Sequence, residues 1–315
     1  MGTAKLTNAA ELPLADPPRR APSDVVRDVV SLLKPRITLM VVITAAGGMW
    51  LAPERIPALR AVVMLLTTSA VVAAANALNC WLERDTDRLM RRTRLRPLPD
   101  GRLAPRWALA IGVTLGVLAV PLLTLLVNPI TGLLGAIALV SYVAVYTPMK
   151  RRSSTALLVG SVPGALPPLM GWTAATGRLD APGLALFAVL FFWQVPHFLA
   201  IASFRREDYA KAGLKTLLEE RGVGVARAQA IVYAALTFVS SLLPFVYRVA
   251  GPFYLATAIL LGVAYTGAAI RPTAPAGLEG EARRTAEDAW ARKLFFVSLI
   301  YLTVLFAVLM LDAQP

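Results

Sequence analysis

The amino-acid sequence predicts an all-α integral membrane protein that crosses the bilayer nine times. Of its 315 residues, 57% are hydrophobic and only 16% are charged, whereas about a quarter of the residues in a soluble domain are charged. The apolar residues fall in blocks of roughly twenty, the length that a helix needs to cross a hydrocarbon layer about 30 Å thick. The basic residues lie mostly in every second connection between these blocks, a charge pattern typical of multi-span proteins.

Nine apolar segments are predicted to be transmembrane helices, because backbone groups in lipid must be hydrogen-bonded within their own segment. The two loops that carry acids next to span ends follow the second and the sixth segment. This spacing favours a pseudo-repeat of four plus four helices with a ninth helix added. The segments lie at about 37–53, 59–81, 107–127, 129–147, 155–176, 181–203, 227–247, 251–270 and 293–311.

The segment before the first span is predicted to be a mobile, Pro-rich cytoplasmic tail that covers residues 1–30. It lacks the apolar stretch that a secretory signal carries. A single nine-span domain is expected to follow over residues 31–312.

Positive charge sets the predicted orientation. Most of the 32 Lys and Arg residues lie in the N-terminal tail and in the loops after even-numbered spans, and the alternate loops carry few. Because positive charge collects on the cytoplasmic side, the N-terminus is expected in the cytoplasm and the C-terminus outside a bacterial inner membrane. Topology and attraction to anionic lipid account for the net charge of +13, so the lipid bilayer, and not nucleic acid, is the expected partner.

The scarcity of cysteine and histidine excludes several kinds of site. Cys80 is the one cysteine and His197 the one histidine. A single cysteine excludes an internal disulfide and a multi-cysteine metal site. A single histidine argues against a permanently bound bis-histidine haem and against a His-rich zinc centre.

The stretch NALNCWLERDTDRLMRRTRLRPLPDG, at residues 76–101, combines acids and arginines where a span ends. Asn79, Glu83 and Asp87 are spaced i, i+4, i+8, which puts them in one stripe of a helix. Oxygen ligands of this kind suit Mg²⁺, which binds one or two carboxylates together with substrate phosphates. The arginines that follow are bidentate phosphate donors. Although membrane topology alone could explain the arginines, the combined pattern predicts a diphosphate-handling site.

The same stretch resembles the first signature of the UbiA superfamily of intramembrane prenyltransferases, an Asn and two acids four residues apart followed by further residues at fixed offsets. That family often has Asp where this chain has Glu83, and the longer side chain still reaches a metal. The matching positions are Asn79, Glu83, Asp87, Met90, Arg92, Thr93 and Arg96.

Six further segments are similar, in the same order, to those of the branch of this superfamily that attaches a farnesyl group to haem. The resemblance covers roughly residues 30 to 311, and it weakens after Gly213. The segments are KPRITL (34–39), YTPMKRRS (146–153), GALPPLMGWTAATG (164–177), FWQVPHFLAIA (192–202), REDYAKAG (206–213) and ARKLFFVSLIYL (291–302).

The resemblance implies nine helices around a central cavity that opens to the cytoplasmic side and to lipid. It implies transfer of the farnesyl group of farnesyl diphosphate to a vinyl group of haem B, with water adding a hydroxyl. A downstream haem-modifying membrane enzyme is then a candidate partner. The implied Mg²⁺ ligands are Asn79, Glu83, Asp87 and Asp208, and the implied diphosphate contacts are Arg92, Arg96, Lys150, Arg151, Tyr209 and Lys211.

Several of these residues also have simpler explanations. Asp208, Tyr209 and Lys211 alone would form an ordinary interfacial turn. Only across a pseudo-repeat do they become the second half of the site. His197 is either a packed core histidine or a haem contact, as iron ligand, propionate partner or proton shuttle. Gln194, one turn earlier, is the expected second haem contact on this span.

At the start of the first span, Arg36 either anchors the helix by snorkelling or meets a haem propionate. Two other functions compete with haem farnesylation. A prenyltransferase of the same superfamily would use an aromatic quinone precursor as acceptor. A transporter with a charged cytoplasmic mouth would need polar residues through the full depth of the bundle, yet the third, fourth and eighth spans are almost wholly apolar.

Overall fold

The computed structural model of the chain describes residues 21–314, and the regular elements within that range are all helical. The one β-type contact there is an isolated bridge between Ala250 and Ala313. The expected all-α class is therefore confirmed. Proline stands at the start of α2, α4, α5 and α11, where its missing N–H costs nothing. The helices are α1 Pro22–Leu32, α2 Pro35–Leu51, α3 Ala58–Asp87, α4 Pro105–Leu126, α5 Pro129–Val140, a π-helical segment Ser141–Tyr146, α6 Thr147–Met149, α7 Ala156–Thr176, α8 Ala181–Phe204, α9 Arg206–Lys211, α10 Leu217–Val246, α11 Pro252–Ile270 and α12 Gly280–Leu311.

All nine expected segments are helical, but not all of them qualify as membrane spans. Seven helices within residues 21–314 are long and apolar enough to cross a bilayer, counting Pro129–Met149 as one helix, and α1 with α2 makes an eighth if that pair, bent by 46°, is a single span. The expected fifth span, α7, contains Pro163, Pro167 and Pro168, which lower its hydropathy. The count of nine transmembrane helices therefore stays a prediction.

Three helices extend well beyond the apolar segments that predicted them. α3 continues to Asp87, α10 begins at Leu217 and α12 begins at Gly280. Hydropathy marks the hydrocarbon boundary, whereas charged residues such as Glu and Arg continue a helix readily outside lipid. In α10 the helix is broken at Gly222, whose φ of 81° is one that glycine adopts without strain.

The expected N-terminal tail is partly helical. α1 begins at Pro22, inside the segment predicted to be a tail, whereas residues 1–20 lie outside the described residues. In α1, Asp28 is buried and pairs with Arg102 of the loop after α3 at 2.5 Å. This ion pair holds α1 against that loop. The domain boundary expected near residue 31 stays a prediction.

The helices pack in two groups, each with its own apolar core. One group is a ring of α2, α3, α4, α5 and α7, and the other is a ring of α8, α10, α11 and α12, with α7 packed on α8 between them. α2 and α7 can approach closely because Gly48 and Gly171 have no Cβ. A Cβ at either position would lie 1.9 Å from a backbone oxygen of the other helix. The four-plus-four pseudo-repeat and the central cavity stay predictions.

The C-terminal residues are fastened to the loop before α11. The Asp312 carboxylate accepts a hydrogen bond of 2.7 Å from the backbone N–H of Tyr254 in the first turn of α11. Backbone bonds from Gly251 to Asp312 and from Gln314 to Val249, both 2.9 Å, complete the contact. The end of α12 thus caps the start of its neighbour.

Candidate active site

Polar side chains collect at one end of the helix bundle, where α3, α6 and α9 end. We call this region the basic end. It carries the loop after α3, the loop after α6 and the loop after α9. The π-helical segment just before α6 adds a residue to one helical turn, an irregularity frequent at functional sites. Backbone bonding also joins two of these loops, because the N–H of Lys215 donates to the carbonyl of Lys150 at 2.8 Å.

The three expected ligands of α3 lie on one stripe, as their spacing requires. Asn79 and Asp87 are buried, and the Glu83 side chain is 15% exposed. The Asn79 amide nitrogen donates to Glu83 Oε2 at 2.9 Å and to Thr147 Oγ1 at 3.1 Å. These bonds turn the amide oxygen of Asn79 toward Lys34, whose ammonium donates to it at 3.2 Å.

Lys150 is the cation closest to Glu83. Its ammonium donates to Glu83 Oε1 at 2.9 Å and lies 4.4 Å from the ring centroid of Tyr146. Burial by itself lowers the pKa of Lys150, but the contacts with Tyr146 and Glu83 outweigh it, so the pKa of Lys150 is raised. Lys150 therefore stays protonated and is available to an anion at this site.

Asp87, the last residue of α3, is held by the loop that follows it. Arg96 Nη1 donates to Asp87 Oδ2 at 2.7 Å, and the Thr93 hydroxyl donates to the backbone carbonyl of Asp87 at 2.8 Å. The other carboxylate oxygen, Oδ1, is buried and has no hydrogen-bond donor among the described residues. An uncompensated buried carboxylate oxygen is costly, so this atom is suited to a further positive ligand.

The second expected motif lies on α9, next to the first. The Asp208 carboxylate is 3.9 Å from Arg205, and its side chain is 16% exposed. Burial raises the pKa of the Tyr209 phenol, while the nearby charges of Arg92 and Lys150 act in the opposite direction. Tyr209 is thus within electrostatic range of the first motif, whereas Lys211 is exposed.

α9 is anchored to α12 by one arginine. Arg206 donates to Asp288 at 2.7 Å and to Glu287 at 3.3 Å, and its Nε donates to the Ser203 carbonyl at 3.0 Å. Glu287 is 4% exposed and also accepts from Arg283 at 3.2 Å. Since no residue of α9 is itself buried, this ion-pair cluster is a main determinant of where the helix sits.

The remaining residues predicted for the diphosphate are solvent-facing. Arg92 and Arg151 are exposed, and neither forms an ion pair with a carboxylate among the described residues. They lie at the basic end with Lys150, so the structure brings the predicted phosphate contacts to one region.

The residues predicted for haem are not gathered in one place. Arg36 is exposed in the first turn of α2. The Gln194 amide donates to the carbonyls of Ser161 and Leu190 at 3.2 and 3.0 Å, contacts that lie within the bundle.

His197 is packed between aromatic rings. It stacks on Trp193 at 4.7 Å and contacts Phe295 at 4.9 Å, and its Nδ1 bonds Ser298 Oγ at 2.8 Å. These contacts are those of a core histidine, so its haem role stays a prediction.

Two residues in contact with the α3 stripe were not predicted. Lys34 reaches Asn79 from the junction of α1 and α2, where it adopts a left-handed φ of 49°. Thr147 bonds Asn79 and also donates to the Tyr142 carbonyl at 2.8 Å. Both belong to segments that carried the family resemblance, and that was the available signal.

The donor set at the basic end fits Mg²⁺ in part. The buried Oδ1 of Asp87 lacks a donor, and the amide and carboxylate oxygens of Asn79 and Glu83 are hard ligands that Mg²⁺ prefers. However, no three Asp, Glu, His or Cys residues within the described range are grouped closely enough to hold a metal. Asp208 is therefore not joined to Glu83 and Asp87 in one ligand cluster. A partial protein shell is what Mg²⁺ needs when substrate phosphates supply the other ligands.

Sequence comparison finds relatives along most of the chain. Residues 41–300 match the model of the UbiA prenyltransferase family. A protein of Myxococcus xanthus named protoheme IX farnesyltransferase is 52% identical over 291 residues, 92% of this chain and 96% of the relative. A protein of the same name from Anaeromyxobacter sp. is 53% identical over 288 residues, 91% of this chain and 94% of the relative.

Solved structures share the fold at much lower identity. A structure of a digeranylgeranylglyceryl phosphate synthase in membranes superposes with a TM-score of 0.77 at 16% identity, covering 92% of this chain and 98% of the other. A UbiA homolog from Archaeoglobus fulgidus, bound to GPP and Mg²⁺, superposes with a TM-score of 0.64 at 18% identity, covering 88% and 99%.

Proposed function

The chain belongs to the UbiA prenyltransferase family, and from this membership we propose that it transfers the farnesyl group of farnesyl diphosphate to a vinyl group of haem B. The products are haem O and diphosphate. The family resemblance expressed by the α3 motif is thereby confirmed. The choice of haem as acceptor follows the names of relatives that are about half identical along nearly the whole chain.

One structural observation supports prenyl transfer above all others. A buried amide and two carboxylates of α3, Asn79, Glu83 and Asp87, lie among the ammonium groups of Lys34 and Lys150 and the guanidinium of Arg96. Neither a transporter mouth nor a packing motif requires that combination. A diphosphate site does require it, because the leaving group carries negative charge that must be stabilised as it forms.

In the proposed reaction the bond between C1 of the farnesyl group and the diphosphate oxygen breaks, and its electron pair leaves with the diphosphate. The vinyl group's terminal carbon forms a new bond to C1. Water then adds to the other vinyl carbon and releases a proton, which leaves a hydroxyl. The chain's part is to orient the diphosphate and to keep water from the allylic cation until the carbon–carbon bond exists.

Specific residues are assigned to these tasks. Mg²⁺ would be held by Asn79, Glu83 and Asp87, and it would neutralise charge on the departing diphosphate. Asp208, which is not clustered with them in this structure, is proposed to join the ligands when the diphosphate is bound. Arg92, Arg96, Lys150, Arg151, Tyr209 and Lys211 would contact the phosphate oxygens. Arg36, Gln194 and His197 are assigned to haem, and Gln194 and His197 also bond Ser161 and Ser298 within the bundle.

The site is proposed to face the cytoplasm of a bacterial cell, with the chain embedded in the inner membrane and the C-terminus outside. The positive charge of the basic end supports this orientation. The product, a farnesylated haem, would pass to a haem-modifying membrane enzyme.

The decisive experiment supplies purified protein in lipid nanodiscs with farnesyl diphosphate, Mg²⁺ and either haem B or a hydroxybenzoate. Products are separated by chromatography and identified by mass. The proposal expects a haem product heavier by one farnesyl group plus one hydroxyl, formed only with Mg²⁺. Prenylation of the hydroxybenzoate with haem left unchanged would instead assign the chain to the quinone-precursor branch.

A further inference from the structure

A pocket of about 410 Å³ opens at the basic end beside Glu83. Its volume falls within the range of ligand pockets, roughly 300–1,000 Å³. Four segments converge on it: the end of α3, the start of α6, the loop after α6 and the loop after α9. Its walls are formed by Leu82, Glu83, Thr86, Thr147, Pro148, Arg151, Arg152 and Leu214.

Backbone hydrogen bonds hold the loops after α6 and α9 together beside the pocket. The N–H of Leu214 donates to the carbonyl of Tyr209 at 3.0 Å, and the N–H of Lys215 donates to the carbonyl of Lys150 at 2.8 Å. Leu214 is therefore fixed between the two loops. The pocket is thus held together by backbone bonds, and its apolar lining residues are Leu82, Pro148 and Leu214.

Some charged residues at this pocket form ion pairs within the chain, and others do not. Glu83 pairs with Lys150 at 2.9 Å, and Arg96 pairs with Asp87 at 2.7 Å. Arg151 and Arg152, by contrast, both line the pocket and form no ion pair with a carboxylate within residues 21–314. Because Arg151 is assigned to the diphosphate in the proposed function, Arg152 is the guanidinium left for another anion. An arginine that pairs with no carboxylate of the protein can form a charge-assisted hydrogen bond with a carboxylate of a ligand.

The acceptor in the proposed reaction has the matching chemistry. Haem is a flat apolar macrocycle with two carboxylates on one edge and its vinyl groups on the opposite edge. The pocket has leucine and proline on its walls, a guanidinium at Arg152, and the candidate diphosphate site at Glu83. In the arrangement inferred below, the carboxylates of the macrocycle lie at Arg152 and its vinyl edge lies at Glu83, where the allylic carbon must be.

We infer that this pocket admits the acceptor and that Arg152 binds a carboxylate of the porphyrin. The inference rests on the proposed function and adds the direction from which haem enters. It assigns Arg152 to the acceptor, whereas Lys150 and Arg151 belong to the diphosphate. The apolar walls favour a macrocycle over a second phosphate group, which would bind poorly against Leu82, Pro148 and Leu214.

The test measures KM for each substrate separately in nanodiscs. Arg152→Ala is expected to raise KM for haem by roughly tenfold, the loss of one charge-assisted hydrogen bond at an open site, and to leave KM for farnesyl diphosphate unchanged. Arg152→Lys should recover part of the loss. Arg284→Ala removes an exposed arginine of α12 that does not line the pocket and should leave both constants unchanged.

A modified acceptor identifies the contact. With haem whose propionates are esterified, wild-type protein and Arg152→Ala should give equal KM values, because the carboxylate is gone in both. A difference that persists with the ester, or a rise in KM for farnesyl diphosphate instead of haem, overturns the inference. Haem affinity is measured in parallel by absorbance titration without farnesyl diphosphate. If wild-type protein fails to farnesylate haem, the proposed function fails, yet a weaker titration for Arg152→Ala would still support the contact.

Discussion

Replacing Asp87 by asparagine should stop catalysis while the protein remains folded. The substitution keeps the size of a side chain that is 1% exposed but removes its charge. Asp87 ends the α3 stripe, accepts a 2.7 Å bond from Arg96, and has a buried oxygen, Oδ1, without a donor among the described residues. The asparagine can still accept one hydrogen bond, so the loop after α3 keeps its main contact.

The effects on folding and on turnover should differ greatly in size. A charge-assisted hydrogen bond contributes about 1.5–3 kcal/mol, and solvent around Arg96, whose side chain is 28% exposed, brings the loss toward the lower end of that range. The loss of one preorganised electrostatic contact to a transition state costs about 10²–10³ in kcat, or roughly 2.7–4 kcal/mol. We therefore expect the melting temperature to fall by a few degrees and the rate to fall about a hundredfold or more.

The assay is the initial rate of haem farnesylation over a range of Mg²⁺ concentrations, with thermal unfolding measured on the same sample. Asp85→Asn is the matched control. It makes the same chemical change two residues away. The Asp85 side chain is 69% exposed, and its ion pairs with Arg84 and Arg88 are long, at 3.7 and 3.8 Å. The reasoning is refuted if Asp87→Asn turns over at the wild-type rate, or if Asp85→Asn is equally damaging.

Three further outcomes are expected. Glu287→Gln should loosen α9 by weakening its bond to Arg206, raising KM for farnesyl diphosphate while leaving haem titration unchanged; equal changes for both substrates would contradict the anchoring role. Asp312→Ala should lower stability by about 1 kcal/mol, as expected for a lost helix cap, without changing either KM; an unchanged unfolding curve would show that the cap at Tyr254 contributes nothing. His197→Ala should impair haem titration more than farnesyl diphosphate binding; equal losses would make it a packing residue only.

Much of the α3 motif could be predicted from sequence because its geometry is local. Residues four apart on a helix must share a face, so Asn79, Glu83 and Asp87 had to align once that segment was helical. The partners of those residues could not be predicted in the same way. Lys34 and Lys150 lie 45 and 67 residues from the side chains that they bond, and such contacts depend on how the helices pack.

Hydropathy also had a limited reach at the helix ends and at α7. The apolar pattern located each helix, but Glu83 and Asp87 were outside the segment that it marked because charge ends a span without ending a helix. In α7, Pro167 and Pro168 lower hydropathy although both are buried in the bundle. A helix packed among other helices does not need the apolarity of one that faces lipid, so composition alone cannot decide whether α7 crosses the membrane.

The residues of the α3 stripe, Asn79, Glu83 and Asp87, are each bonded by a cationic side chain of the same protein. Lys34, Lys150 and Arg96 each bond an oxygen of Asn79, Glu83 or Asp87, so each acidic side chain already has a cationic partner from the chain itself, and only Oδ1 of Asp87 has no donor among the described residues. A structural metal domain unfolds when its ion is removed, because nothing else balances its ligands. Here chelation of divalent ions should abolish turnover and leave the melting temperature unchanged. The ion would then serve the reaction alone, and the bundle could fold in the membrane before any metal arrives.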